Sequence, residues 1–484
     1  MIPTPALEIV VLVWGLVLLL AEAFVDKLDK RVFAIAGIVG LVAVLLGSFF
    51  LAPPPPAAST GFWSFYTADP LAIFFKRFAL ATTIFILIMA IDYAPAIRMG
   101  VPGANPQAGL GEFFALPIFT CAGLMWMASA IDFVMIFVSL ELVTMSFYVL
   151  VTFTRRNPAT LEAGVKYLIL SALSTGFLVY GITWIFGVTG ETNLARIGAV
   201  LARQDFDHVP LLFGFALVLV ALGFKIAAVP FQIWVPDVYQ GAPTPVTAFL
   251  SVGSKAAGFV VLLRVLGPFS ILPQVGKLLV VIAALTLIYG NFAALPQTNL
   301  KRLLAYSSIA HAGYLLIGVV CFAGTAVAFY LVGYLLMTLL CFAVVVLVAA
   351  DGGEQIEDYS GLVRRSPFLA GAMLVGMVSL AGIPFTAGFL GKFFIFDAAI
   401  RQGQTLLVVI GVITVGCGFY YYLKVIRAMF WLPPPNDAPV IQISPLSRGA
   451  IGLLIAGIFV FGVYPQPILN ALNPPAPVAV TAGR

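Results

Sequence analysis

Five charged side chains stand where charge is costly. Glu141, Lys166, Lys225, Lys255 and Lys392 each lie within a long apolar run of a 484-residue chain that is only 9% charged. Glu141 lies nine residues after Asp132, Lys255 ten after Pro245, Lys392 nine before Arg401 and Lys166 eight after Pro158. Lys225 sits inside GFALVLVALGFKIAAVP, five residues before Pro230. At about 1.5 Å per helical residue, nine or ten positions from a boundary is about 14 Å, near the middle of hydrocarbon roughly 30 Å thick. Each such group costs about 2.5–3.5 kcal/mol to insert on the lowest scale, so five cost on the order of 12–18 kcal/mol, comparable to the stability of a whole domain.

Packing does not require that cost, but proton transfer does. A desolvated lysine tends to give up its proton, and a nearby carboxylate makes it hold on. A Glu–Lys pair whose separation can change is therefore a proton switch. Glu141 with Lys225 is the expected pair. Pro230 removes its own N–H and frees the carbonyl of Ile226, and the negative end of the interrupted helix favours a charged Lys225. Lys255 and Lys392 read as further stations at similar depth; structural ion pairing is the competing reading. His311, nine residues after Arg302 in SSIAHAGY, has a side chain suited to proton handoff, though a helical histidine also serves as a hydrogen-bonded packing group.

Other polar residues carry weaker expectations. Lysines near helix ends commonly snorkel to the surface, which suits Lys76, Lys277 and Lys424. Asp237, between prolines, caps a helix or lines an exit. Asp132 and Glu112 open apolar runs as helix N-terminal charges. FYYYLK at 419–424 has the composition of an interfacial aromatic belt. Cys121, Cys321, Cys341 and Cys417 all lie in apolar runs without a C-x-x-C pair, so they read as small buried hydrophobes rather than disulfide or iron–sulfur ligands.

The elements that must position these groups are membrane helices. With 62% hydrophobic residues and 45 charged ones, the chain is neither an ordinary water-soluble enzyme nor disordered. The apolar runs are continuous rather than alternating, and backbone polar groups in lipid must be satisfied within the segment, which selects helices. The expected spans are 5–24, 32–52, 71–92, 112–130, 132–154, 159–187, 210–229, 245–267, 274–295, 302–320, 323–350, 367–383, 404–431 and 447–465. The fold class is thus all-α, a polytopic bundle of about 14 transmembrane helices forming a single membrane domain over 1–484. Pro53 to Pro56 form a stiff linker, 351–366 is the most polar connection, and 467–484 is expected to be a loose tail. The first span lacks a basic leader and a cleavage site, so it is expected to be retained.

Basic residues favour one set of loops. Odd-numbered loops carry Lys27, Lys30, Arg31, Arg98, Arg155, Arg156, Lys301, Arg302, Arg364 and Arg365, with Lys424 and Arg427 near that side. Even-numbered loops carry Arg196, Arg203, Lys277 and Arg401. The odd loops are therefore expected in the cytoplasm, with both termini outside. A net charge of +5 suits loops facing anionic lipid and gives no sign of nucleic-acid binding.

Two apolar runs end on the same pattern, Val229-Pro230-Phe231 and Ile383-Pro384-Phe385. Interrupted spans at corresponding positions of two halves point to inverted repeats and a midplane ion site, while two unrelated proline kinks would look the same. No G-x-G-x-x-G follows a strand. Thr386 and Phe393 stand where a phosphate loop ending at Gly391-Lys392 would need glycine and a hydroxyl residue. The chain holds parts for moving ions but no evident redox centre, metal site or ATP engine.

At several of these residues the sequence resembles the antiporter-like membrane subunits of respiratory complex I. The resemblance rests on Leu140-Glu141-Leu142, Lys166-Tyr167, GFKIAAVPFQIWVPDVYQGAPTPVTAFLSVGSKAAG at 223–258, LKRLLAYSSIAHAGY at 300–314 and AGFLGKFFIF at 387–396. It runs from the fourth span to the thirteenth. It implies two inverted five-helix repeats, 112–267 and 274–431, each containing a broken helix. By resemblance, Glu141 and Lys225 are the coupling pair, Lys166 tunes it, Lys255 joins the halves and Lys392 is the exit-side lysine. Lys392 also resembles the N and L types rather than the M type, and the short end after the last span resembles N. The implied activity is proton translocation driven by electron transfer from NADH to quinone. FMN and iron–sulfur clusters would reside in partner subunits, quinone would bind elsewhere, and this chain would hold no cofactor. The implied partners are other membrane-arm subunits and the lipid bilayer. Subunits of cation/proton antiporters and of membrane-bound hydrogenases share most of these motifs.

Overall fold

The structure is a computed structural model. It describes residues 3–25, 29–51, 63–102, 109–203, 207–349, 353–434 and 441–472. Lys27, the Pro53–Pro56 linker, the start of the 351–366 connection and the tail from 473 lie outside the described residues.

Helices begin where the sequence supplies caps and prolines. Asp69, Asp132, Asn157 and Asn299 each accept a hydrogen bond from a first-turn N–H, opening α3 (Pro70–Gly100), α5 (Phe133–Val151), α6 (Pro158–Thr189) and α13 (Leu300–Val320). Pro70 and Pro158 occupy first-turn positions where a missing N–H costs nothing. The other early helices are α1 (Ala6–Phe24), α2 (Arg31–Gly47), α4 (Leu110–Ser129), α7 (Leu194–Leu201) and α8 (His208–Ile226). Next come α9 (Val235–Gly241), α10 (Thr244–Phe249), α11 (Lys255–Phe269), α12 (Pro273–Ala294) and α14 (Gly324–Val348). The chain closes with α15 (Leu362–Arg365), α16 (Pro367–Ala381), α17 (Ala387–Arg401), α18 (Thr405–Trp431), α19 (Pro445–Val463) and α20 (Gln466–Leu472).

Thirteen helices among the described residues are long and apolar enough to cross a membrane. The remaining expected span, 367–383, is the shorter α16, and a break falls at its end. The 15-residue α16 ends at Gly382, whose φ of 90° is left-handed, and α17 resumes at Ala387. The first break is similar: α8 stops at Ala227 with φ 65° and short α9 follows. Backbone groups released there find partners, since Val229 N donates to Thr286 Oγ1 at 3.0 Å and Trp234 Nε1 to Phe224 O at 3.0 Å. Between α10 and α11, Leu250–Ser254 form a π-helical turn directly before Lys255.

Connections at one end of the bundle are tied to one another. Arg156 N donates to Gly100 O at 2.9 Å, Thr160 Oγ1 to Gly241 O at 2.8 Å and Lys301 Nζ to Ala242 O at 2.9 Å; Asn299 bridges Gln355. At the other end Tyr66 bridges Ala130, and Asp132 bridges Asn193. Odd and even loops thus gather on opposite faces. Helices α12 and α13 approach closely: a methyl group on Gly290 would lie 2.5 Å from Ala310 N, and one on Gly313 2.8 Å from Leu287 N.

Two sequence expectations fail here. Lys76 does not snorkel. It is fully buried and paired with Glu8 at 2.7 Å, a carboxylate within reach because α1 packs on α4 beside α3. The 419–424 segment is not simply an interfacial belt. Tyr420 is exposed, but Tyr421 and Tyr422 turn inward because their hydroxyls find polar partners on α12 and α13.

Candidate functional site

Lys225, in the last turn of α8, is 5% exposed. Its ammonium donates to Thr144 Oγ1 at 3.3 Å, one turn along α5 from Glu141. Glu141 Oε1 accepts from Thr175 Oγ1 of α6 at 2.7 Å. The expected pair is therefore brought to neighbouring turns but does not form a direct ion pair. Each partner is held by a threonine hydroxyl, so a modest side-chain movement changes their separation.

Lys166 is less enclosed by the chain than the other lysines. Its side chain is 40% exposed on α6 and pairs with Glu162 and Asp237, both at 2.7 Å. The helix is 32 residues long, and position 166 falls on a face that this chain alone does not cover. Asp237 lies in the first turn of α9 and is not its N-cap, which is Trp234. It bridges Lys166 to Arg302 of α13, the latter at 2.8 Å. Asp237→Asn should therefore weaken contacts between α6, α9 and α13, at about 1.5–3 kcal/mol per charge-assisted bond before solvent screening reduces it. Thermal unfolding of the assembled protein checks this. Glu162→Gln, whose partner lies on the same exposed helix face, should change stability by less than about 1 kcal/mol.

Lys255 is 1% exposed. Its ammonium donates to Ser308 O at 2.5 Å and to Ser308 Oγ, and lies 5.7 Å from the Tyr334 ring centroid. One turn along α13, His311 Nδ1 is 2.7 Å from Tyr330 OH and Nε2 is 3.1 Å from Tyr422 OH. Tyr422 also meets Ser307 at 2.5 Å. A further turn on, the Tyr314 ring lies 5.0 Å from Lys392 Nζ. Ser308, His311 and Tyr314 thus form a polar stripe along one face of α13, and the stripe leads from Lys255 to Lys392.

Lys392 caps the broken helix. Its ammonium donates to Leu380 O and Ala381 O, both at 2.9 Å, at the negative end of α16. Gly382 leaves the room for this approach; a Cβ there would lie 3.2 Å from Nζ. The helix-end device expected at Lys225 is thus realised at Lys392. Sequence reasoning missed Thr144, Thr175, Ser308, Tyr314, Tyr330 and Tyr422, since hydroxyl residues are ordinary in membrane helices. The only available signal was the three-residue spacing of Ser308 and Tyr314 on either side of His311.

The family model described as "NADH:quinone oxidoreductase/Mrp antiporter, TM" matches residues 130–418. NADH-quinone oxidoreductase subunit N of Moorella thermoacetica is 37% identical, with 96% of each chain covered. Its counterpart of the same name in Trichlorobacter lovleyi is 40% identical over 96% of this chain and 94% of that one. The chain belongs to this family. Among solved structures, a chain of respiratory complex I from Thermus thermophilus with bound Aureothin is similar at a TM-score of 0.81 and 32% identity, covering 97% of this chain and 99% of that one. A chain of the Mrp complex from a Dietzia species shares the fold, with a TM-score of 0.80, 21% identity and coverage of 97% and 96%. Glu141, Lys166, Lys225, Lys255, His311 and Lys392 all fall within the stretch that the family model matches.

Proposed function

We propose that this chain is the N-type proton-translocating membrane subunit of an NADH-quinone oxidoreductase. The single observation that carries the reading is the row of three buried lysines, Lys225, Lys255 and Lys392, with the α13 polar stripe joining the last two. Electron transfer from NADH through FMN and iron–sulfur centres to quinone takes place in partner subunits and supplies the energy. The chain's own partners are the other membrane-arm subunits.

In this reading, residues 112–267 and 274–431 act as two inverted repeats around the breaks after α8 and α16. Charge displaced along the membrane arm moves Glu141 away from Lys225. Lys225 then releases its proton toward Lys255, and Ser308 and His311 carry it to Lys392. Release from Lys392 leads outward, with the odd loops in the cytoplasm and both termini in the periplasm of the bacterial inner membrane. Lys166, held by Asp237, tunes the Glu141–Lys225 pair.

The test is purification in mild detergent followed by reconstitution. The expected result is an assembly that oxidises NADH, reduces quinone and acidifies vesicles. A flavin-free cluster exchanging cations for protons under an imposed gradient would overturn the reading in favour of an antiporter subunit.

A further inference from the structure

A second group of buried charges lies outside residues 130–418, apart from the lysine row. Glu8 of α1 and Lys76 of α3 are both fully buried and 2.7 Å apart. Tyr66 completes a triangle: Lys76 Nζ donates to Tyr66 OH at 2.5 Å, and Tyr66 OH donates to Glu8 Oε1 at 3.2 Å. The ammonium therefore reaches the carboxylate both directly and through the phenol. Two polar atoms remain over. Glu8 Oε2 and Ser129 Oγ are buried without a hydrogen-bond partner. Ser129 is brought beside the triangle because its carbonyl accepts from Thr67 N at 2.8 Å.

The neighbouring pair is of another kind. Arg264 of α11 holds Asp69 through two bonds of 2.8 and 2.9 Å and donates twice to Ala128 O. Burial pushes the Asp69 carboxyl up, but the Arg264 hydrogen bonds and charge outweigh it and keep it below its ordinary value. Guanidinium does not give up its proton in proteins. This pair is a fixed, neutral frame, and the movable protons belong to Glu8, Tyr66 and Lys76. A structural role explains the triangle poorly. Burying two charges often costs more than apolar packing of the same volume, and a buried carboxylate oxygen without a donor is uncommon in native proteins.

We propose that Glu8, Tyr66 and Lys76 form a second proton-relay site, opening through half-buried Tyr66 onto the face where the even loops gather. In one transfer an N–H bond of Lys76 breaks as Tyr66 accepts that proton, and the phenol passes its own proton to Glu8. An ion pair becomes a neutral amine and carboxylic acid, with net charge unchanged. Uptake of a proton by Lys76 and loss of one from Glu8 restores the starting state, so one proton crosses the triangle per cycle. Ser129 and the free oxygen of Glu8 provide the place where a water receives it.

The inference rests on the proton-pumping reading, and its test is made on the whole assembled complex in vesicles, with protons moved per NADH oxidised as the readout. The variants are Tyr66→Phe and the double replacement Glu8→Leu with Lys76→Met, which removes both charges together and avoids stranding one. Both are expected to assemble with native NADH oxidation and to lower the proton ratio reproducibly. Native ratios in both variants would overturn the relay site and leave the proposed function intact, provided the unmodified complex pumps. A double variant that fails to assemble leaves Tyr66→Phe to decide, because the phenylalanine keeps the packing and loses only the transferable proton.

Discussion

A Lys225→Ala complex is expected to assemble, oxidise NADH and pump few or no protons. Lys225 makes one long hydrogen bond, to Thr144 at 3.3 Å, and no ion pair. Removing it therefore breaks no ion pair; the cavity left by its methylenes costs stability, but no partner charge is stranded by it. The proposed transfer step loses its carrier between α5 and α11. Coupled pumping should fall by about tenfold or more, a factor that needs only about 1.4 kcal/mol on one step. Lys225→Arg sharpens the test, because guanidinium preserves the positive charge but does not release its proton. It should fail as completely as alanine. Pumping at the native ratio in either variant would remove Lys225 from the mechanism. Glu141→Ala should resemble Lys225→Ala, with Thr175 losing its acceptor.

The second large effect is expected from a residue without chemistry. Gly290→Val should prevent the chain from accumulating in the membrane. The α12–α13 contact is closed by bare backbone, with Ala310 N 2.5 Å and Ala310 Cα 2.9 Å from where a Cβ would stand. These atoms are main chain and cannot rotate aside, so the two helices must separate. Overpacking of this kind costs about 3 kcal/mol or more. It would also move α13, which carries Ser308, His311 and Tyr314. Immunodetection of the subunit in washed membranes measures the loss. Gly276→Val, where a Cβ would meet nothing within 4 Å, should accumulate normally.

How much of this was readable beforehand differs residue by residue. Lys225, Lys255 and Lys392 announce themselves because charge inside an apolar run has few explanations. The breaks at Pro230 and Pro384 are equally plain, because proline removes a helical donor. Glu8 and Lys76 were not legible as a pair. They are 68 positions apart and each sits near a helix start, where a snorkelling charge looks the same from sequence. Tyr422 was read as interfacial because an inward and an outward tyrosine have identical composition; only the position of His311 across the bundle distinguishes them. Asp237 lacked a visible partner because Lys166 and Arg302 come from distant elements that only the folded chain juxtaposes.

The π-helical turn at Leu250–Ser254 has a bearing on how this helix can change. It accommodates one residue more than an ordinary turn, so side chains before and after it are out of phase by roughly 100° relative to an unbroken α-helical wheel. Relaxing this turn into regular winding at unchanged length would swing the ammonium of Lys255 away from Ser308 by about a quarter of a revolution, whereas deleting one residue there would leave its direction unchanged. A change of winding in this stretch is thus a rotation of everything that follows it.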